Sequence, residues 1–265
     1  MSACKTILFI VLLLTVHGMA GNRFDHLNNN FYDTVDLGLA LNDKLFSLSD
    51  TETRMALAGS GMVLSAMLAD RAVREWTQAR QTTGRDRIFA IDDYYGDRWY
   101  MIGGTLTLYG LGWVLDNRDI RRTGLKSVQA LLYTGLITVI TKDVFGRSRP
   151  FRDEGPFTYR PLRFRESNRA FFSGHTSITF AVSTVMAQSV DHLLWKGLWY
   201  SAAVLTGMAR IYHDKHWLSD VMAGAMVGYG VGRFVHRQHT TNGSSGRLGM
   251  GKAGMSLFTF SVPLR

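Results

Sequence analysis

Six stretches of the chain carry apolar residues at helical spacing, over residues 55–69, 101–115, 128–141, 172–190, 197–209 and 217–234. Polar clusters bound each stretch, and proline is nearly absent from them, so the pattern predicts helices in preference to strands. Residues 21–53 are mostly polar, and the part reading LNDKLFSLSDTE suits a short amphipathic helix. Arginines and acids alternate between residues 70 and 99, which predicts solvated helix and loop. Residues 150–169 form a long connection with prolines at Pro156 and Pro161. From residue 238 the chain reads as a glycine- and serine-rich linker, and residues 254–264 suit either a strand or an amphipathic segment. No internal repeat is present. The pattern predicts an all-α fold, a helical bundle of about six core helices spanning residues 54–237.

The first twenty residues follow another pattern. Lys5 precedes an apolar run over residues 7–16, and small residues follow at Gly18 and Ala20. That is the layout of a cleavable signal peptide, so the rest of the chain is expected outside the cytoplasm, periplasmic and either soluble or associated with a membrane. The apolar runs hold fewer than the about 20 residues a bilayer crossing needs. The expectation is therefore an extracytoplasmic bundle that touches the membrane.

Composition narrows the chemistry. The single cysteine, Cys4, lies inside the expected leader, so the remaining chain has no thiol nucleophile, disulfide or thiolate metal site. The formal net charge is +9, which suits an anionic partner: nucleic acid, anionic lipid or a phosphorylated substrate. The arginines gather around three short motifs, and no nucleic-acid-binding module is recognisable, so a phosphorylated substrate is expected and a nucleic acid is not.

Each motif stands where an apolar run starts or stops. KDVFGRSRP, residues 142–150, follows the third run. FFSGHTS, residues 171–177, opens the fourth. RIYHDKHWLSD, residues 210–220, separates the last two. Helices of alternating direction would bring all three to one end of the bundle. Lys142, Arg149 and Arg210 can surround a phosphate, the arginines with two-pronged donor geometry. Ser173 and Gly174 offer a hydroxyl and a backbone that an anion can approach closely. His175 and His216 can divide nucleophilic and general-acid roles. Asp220 lies four residues after His216, on the same helical face, where it can orient the imidazole.

Lys142 with Arg149-Pro150, then Ser173-Gly174-His175, then Arg210 with His216 and Asp220, resembles the three-part signature of the type 2 phosphatidic acid phosphatase and vanadium haloperoxidase superfamily. The resemblance implies an all-helical, metal-independent phosphatase that needs no cofactor and is inhibited by vanadate as a transition-state mimic. It implies that His216 is the nucleophile, helped by Asp220, and passes through a phosphohistidine. It gives His175 the general-acid role, and Lys142, Arg149, Ser173, Gly174 and Arg210 the phosphate oxygens. The expected substrates are phosphomonoesters or diphosphates, lipid-borne first: phosphatidate, an isoprenoid diphosphate or a lipid A phosphate. The alternatives are a broad extracytoplasmic acid phosphatase on soluble esters and a vanadate-dependent haloperoxidase. Two positions depart from the family pattern. Phe172 replaces the usual proline and Ala209 the usual serine.

Overall fold

The computed structural model describes residues 23–244, and within them every regular element is helical. In chain order the α-helices are α1 (Arg23–Phe46), α2 (Asp50–Gln78), α3 (Thr83–Phe89), α4 (Arg98–Val114), α5 (Arg118–Phe145), α6 (Gly174–Gln188), α7 (Leu193–Tyr212) and α8 (Leu218–Ser244). All six predicted runs are helices, most of them longer than their apolar stretch. Local chemistry sets the ends: a capping box of Ser49 and Glu52 opens α2, Asp97 caps α4, Asn117 caps α5 and Ser173 caps α6.

Two predicted boundaries move. The polar segment before residue 54 is largely the 24-residue helix α1. Its Leu37 and Leu41 are buried with Ala130 and Tyr133 of α5, Ala181 and Val185 of α6, and Val231 and Val235 of α8. A sparse apolar stripe in a polar sequence is enough to seat it. Helix α8 also continues to Ser244, into the segment read as linker. The expected leader and the residue 254–264 tail lie outside the described residues.

Helix α6 is the centre of the bundle. It packs on α5, α7 and α8, and most of its side chains are buried, including Ser177, Thr179, Ser183 and Thr184. Most of its hydroxyls bond within the helix or to neighbours: Thr179 donates to the His175 carbonyl, and Ser177 meets Thr138 of α5 at 3.0 Å. The outer helices differ. Helices α2 and α5 are long and apolar enough to cross a membrane, and only 22% and 28% of their apolar stretches are buried inside the protein. Leu64, Leu68, Leu136 and Ile140 on these helices stand exposed.

Candidate active site

The alternation of helix directions brings the end of α5, the start of α6, the end of α7 and the start of α8 together. The turn between α7 and α8 is tight: the backbone N–H groups of Lys215 and His216 both donate to the Arg210 carbonyl, at 3.0 and 3.2 Å. Asp214 takes a left-handed conformation in that turn, with φ of 56°. Arg74 of α2 grips its carboxylate through two nitrogens, at 2.6 and 2.8 Å. His213 is held against the Phe89 carbonyl and Asp92. Both residues therefore shape the turn, and His216 alone of the two histidines is buried in it.

His216 lies two residues before α8 begins. Asp220, in the first turn, accepts the Trp217 backbone N–H at 2.9 Å and so caps the helix whose start it shares. Its same oxygen, Oδ2, stands 3.5 Å from His216 Nδ1, at the outer edge of hydrogen-bond reach, and that buried nitrogen makes no closer polar contact. Nδ1 thus faces the carboxylate and leaves Nε2 for chemistry. The Asp220 carbonyl accepts the Ser173 N–H at 3.0 Å, which ties the head of α6 to the head of α8.

Lys142 sits in the last turn of α5 and donates to the Arg169 carbonyl at 2.6 Å. Its Cε is within reach of Gly174, where an added Cβ would stand 3.6 Å away. Arg149 reaches Glu166 at 3.1 Å and Arg210 reaches Asp92 at 2.6 Å, while the buried Nε–H of each guanidinium meets no acceptor. Buried donors without partners are rare and call for an explanation. An anion between the two arginines supplies one. Ser173 accepts from the N–H and hydroxyl of Thr176, at 3.4 and 2.9 Å, and so retains its own proton for a ligand oxygen.

The charges converge on both histidines. Burial pushes His216 well below the ordinary imidazole range, and Lys142, Arg149, Arg210 and His175 push it further. His175 is lowered to about 3, by burial first and then by Arg210, Lys142, Arg149 and Arg98. A neutral His216 is a competent nucleophile, and a phosphate dianion among the three cations would offset the fields that deprotonate His175. Of the predicted site residues, all eight therefore gather at one end of the bundle.

Sequence reasoning missed the residues beneath them. Arg147 is fully buried and donates to Asp220 Oδ1 at 2.5 Å, Asp70 Oδ2 at 2.7 Å, Ser219 Oγ at 2.7 Å and the Pro156 carbonyl at 2.8 Å. Asp70 of α2 also accepts the Ser219 N–H and hydroxyl, at 2.9 and 2.7 Å. Arg147 was hidden among the arginines of its loop. Asp70, an acid directly after an apolar run, was the available signal.

Residues 123–244, which include every candidate residue from Lys142 to Asp220, match the PAP2 superfamily. Over those residues the chain is similar to PAP2 superfamily proteins. The chain resembles "Lipid A 1-phosphatase" of Rhizobium johnstonii, 29% identical over 100 residues, which covers 37% of this chain and 40% of that protein. It thus spans about two fifths of the length of the first curated relatives it matches. Two crystal structures share the fold. Aquifex aeolicus LpxE has a TM-score of 0.51 at 21% identity, covering 63% of this chain and 94% of that one. The transmembrane PAP2-type phosphatidylglycerolphosphate phosphatase of Bacillus subtilis has a TM-score of 0.52 at 17% identity, covering 83% and 96%. The two departures of the chain from the family pattern are structural: Phe172 is buried against Val63 and Ala223, and Ala209 is fully buried. Among the described residues, no group of three or more His, Cys, Asp or Glu is placed to hold a metal ion.

Proposed function

We propose that the protein is a phosphatase that removes phosphate from phosphorylated lipids through a phosphohistidine at His216. One observation carries the reading: Lys142, Arg149 and Arg210 act together on a buried His216 whose other ring nitrogen faces Asp220. In the first step His216 Nε2 forms a bond to phosphorus, the phosphorus–oxygen bond to the leaving group breaks, and protonated His175 gives that oxygen its proton. In the second step water attacks phosphorus, His175 takes a proton from it, the phosphorus–nitrogen bond breaks and inorganic phosphate leaves. The cationic side chains and the α6 N-terminus stabilise charge on the equatorial oxygens, so this scheme needs no metal or organic cofactor. Vanadate should inhibit by occupying the same cradle.

The lipid preference is supported by the apolar outer faces of α2 and α5. It is also supported by the 150–169 connection, where exposed Phe151, Phe157, Leu162 and Phe164 accompany the arginines. Aromatic and cationic side chains together suit a headgroup layer. The N-terminal run supports placement outside the cytoplasm.

Phosphate release from dispersed phosphatidate, farnesyl diphosphate and an aryl phosphate tests both claims. The expected result is a preference for the lipids, with His216→Ala inactive and no acid-labile phosphoenzyme formed by that variant. Full activity in His216→Ala would overturn the mechanism. Equal rates on all three substrates would point to a broad acid phosphatase on soluble esters.

A further inference from the structure

Beside the phosphate cradle lies a second feature that the reaction scheme does not use. A cavity of about 410 Å³ opens between α4, α6 and α7, walled by Tyr95, Met101, Thr105, Val182, Met186 and Trp199. Its volume falls in the range of small-ligand sites, roughly 300–1,000 Å³. Its wall is apolar, and the Tyr95 hydroxyl is already taken up by Ser183, at 2.6 Å.

Its position relative to the cradle is set by two helices. Helices α4 and α6 both start at the catalytic end and run away from it. Helix α6 begins at Gly174 and His175, and Val182 and Met186 lie roughly 10 and 16 Å further along it at 1.5 Å per residue. Helix α4 begins with Arg98, whose charge reaches His175, and its next turns carry Met101, Gly104, Thr105 and Leu108 along the cavity. The wall between cradle and cavity is the Tyr95–Gly96 segment. Tyr95 faces the cavity, and its carbonyl accepts from Thr206 at 2.7 Å. Gly96, at φ of 146°, lies so near the cradle that a Cβ would stand 3.3 Å from His175 Cδ2 and 2.7 Å from the Thr206 methyl. The backbone is thus thinned to a glycine where cavity and general acid adjoin.

From this juxtaposition we propose that the cavity between α4, α6 and α7 is a substrate-chain subsite, holding the first part of the alkyl or acyl chain whose phosphate sits between Lys142, Arg149 and Arg210. This rests on the phosphatase reading and adds a place and a size to its lipid preference. A cationic cradle, and an apolar slot that adjoins it across the Tyr95–Gly96 segment and runs along two helices, complement a molecule with an anionic head and one hydrocarbon tail. The slot selects by chain length and leaves the phosphate chemistry to the histidines.

The test uses the full chain in detergent with single-chain alkyl phosphates from four to twelve carbons, kept monomeric, and an aryl phosphate as tail-less control. Gly104 lines the cavity, and a Cβ there meets nothing within 4 Å, as is also true of its neighbour Gly103, which does not line it. In the wild type kcat/KM should rise with each methylene, by up to about fourfold per group. Gly104→Phe should flatten that rise, costing roughly tenfold or more on the longer chains, while leaving aryl phosphate turnover and the Gly103→Phe series unchanged. A second readout does not need turnover: an alkyl phosphate with a chain-borne diazirine should label α4 and α6 at the cavity, and Gly104→Phe should remove the label. Flat chain dependence in the wild type, or a Gly104→Phe profile identical to it, with labelling elsewhere, overturns the subsite even if every ester is hydrolysed. Labelling at the cavity without hydrolysis of any ester upholds the subsite and overturns the phosphatase reading instead.

Discussion

Arg147 shows how a residue outside the candidate cradle can govern one within it. It lies between Asp70 and Asp220, with all three side chains fully buried, so its charge is compensated twice and its donors are used on four acceptors. Asp220 owes its position to this grip on Oδ1, and Oδ2 is thereby left to Trp217 N–H and His216. Removing one partner of a buried ion pair costs about 3–5 kcal/mol, because the other charge is stranded. Arg147→Met should therefore lower stability by that order and cut kcat by roughly 100-fold, the loss expected when a reacting group shifts by about 1 Å. KM should change little, since Lys142, Arg149 and Arg210 remain. Adding Asp70→Asn to Arg147→Met should cost less than Asp70→Asn alone, because one stranded carboxylate is gone. Denaturant midpoints and steady-state kinetics on the four proteins of that cycle check the claim; additive losses with unchanged kcat would reduce Arg147 to a loop anchor.

At the scale of elements, the pair α6–α8 sets the distance between the two histidines. Gly224, Gly228 and Gly232 form a stripe on α8, and Cβ atoms there would strike Ser173 O at 2.6 Å, Ser177 O, and Ala181 O at 2.5 Å. Those three carbonyls are themselves four residues apart, so two helix backbones meet along matched stripes. Sequence reading placed the motifs at helix ends. It could not say which glycines mattered, because the i, i+4 stripe on α8 acquires meaning only once α6 is its partner. The same limit hid Arg147: a buried arginine and a solvated one look alike until Asp70, 77 positions away, is known to face it. That the eight candidate residues would gather at one end was legible, because each motif is local and stands at a helix end. Gly228→Ala should push α6 from α8 and cost about 1–3 kcal/mol through overpacking, with most activity lost. Gly230→Ala, with nothing within 4 Å, should be neutral or stabilising by up to about 1 kcal/mol. Equal behaviour of the two variants in thermal unfolding and turnover would show that the stripe does not hold the site together.

For the whole molecule, the question is what covers the apolar outside. Met62, Leu64 and Leu68 on α2, and Leu132, Leu136, Val139 and Ile140 on α5, project from the bundle. The arginine-bearing connection, with its exposed aromatics, lies instead at the end that holds the candidate site. Exposed apolar patches of this kind mark an interaction with lipid or protein. The apolar runs looked short for a crossing because charges interrupt them, yet Asp50–Gln78 and Arg118–Phe145 are continuous helices of 29 and 28 residues. At 1.5 Å per residue each exceeds the about 30 Å of a hydrocarbon core. Both helices are therefore long enough to cross a bilayer, and a bundle set there would hold its phosphate cradle at the level of the headgroups. Leu64 and Leu136 lie near the middles of the two helices, 63% and 54% exposed. In a soluble bundle, Leu64→Arg or Leu136→Arg would change stability by no more than about 0.5 kcal/mol, as surface substitutions usually do. In a bilayer each should cost about 2.5–3.5 kcal/mol of insertion free energy. Both variants should then appear less in the carbonate-resistant membrane fraction, while an arginine placed at Phe164, in the connection, should not. Release of the wild type by carbonate, with all three variants behaving alike, would place the bundle in water and require a protein partner for its apolar face.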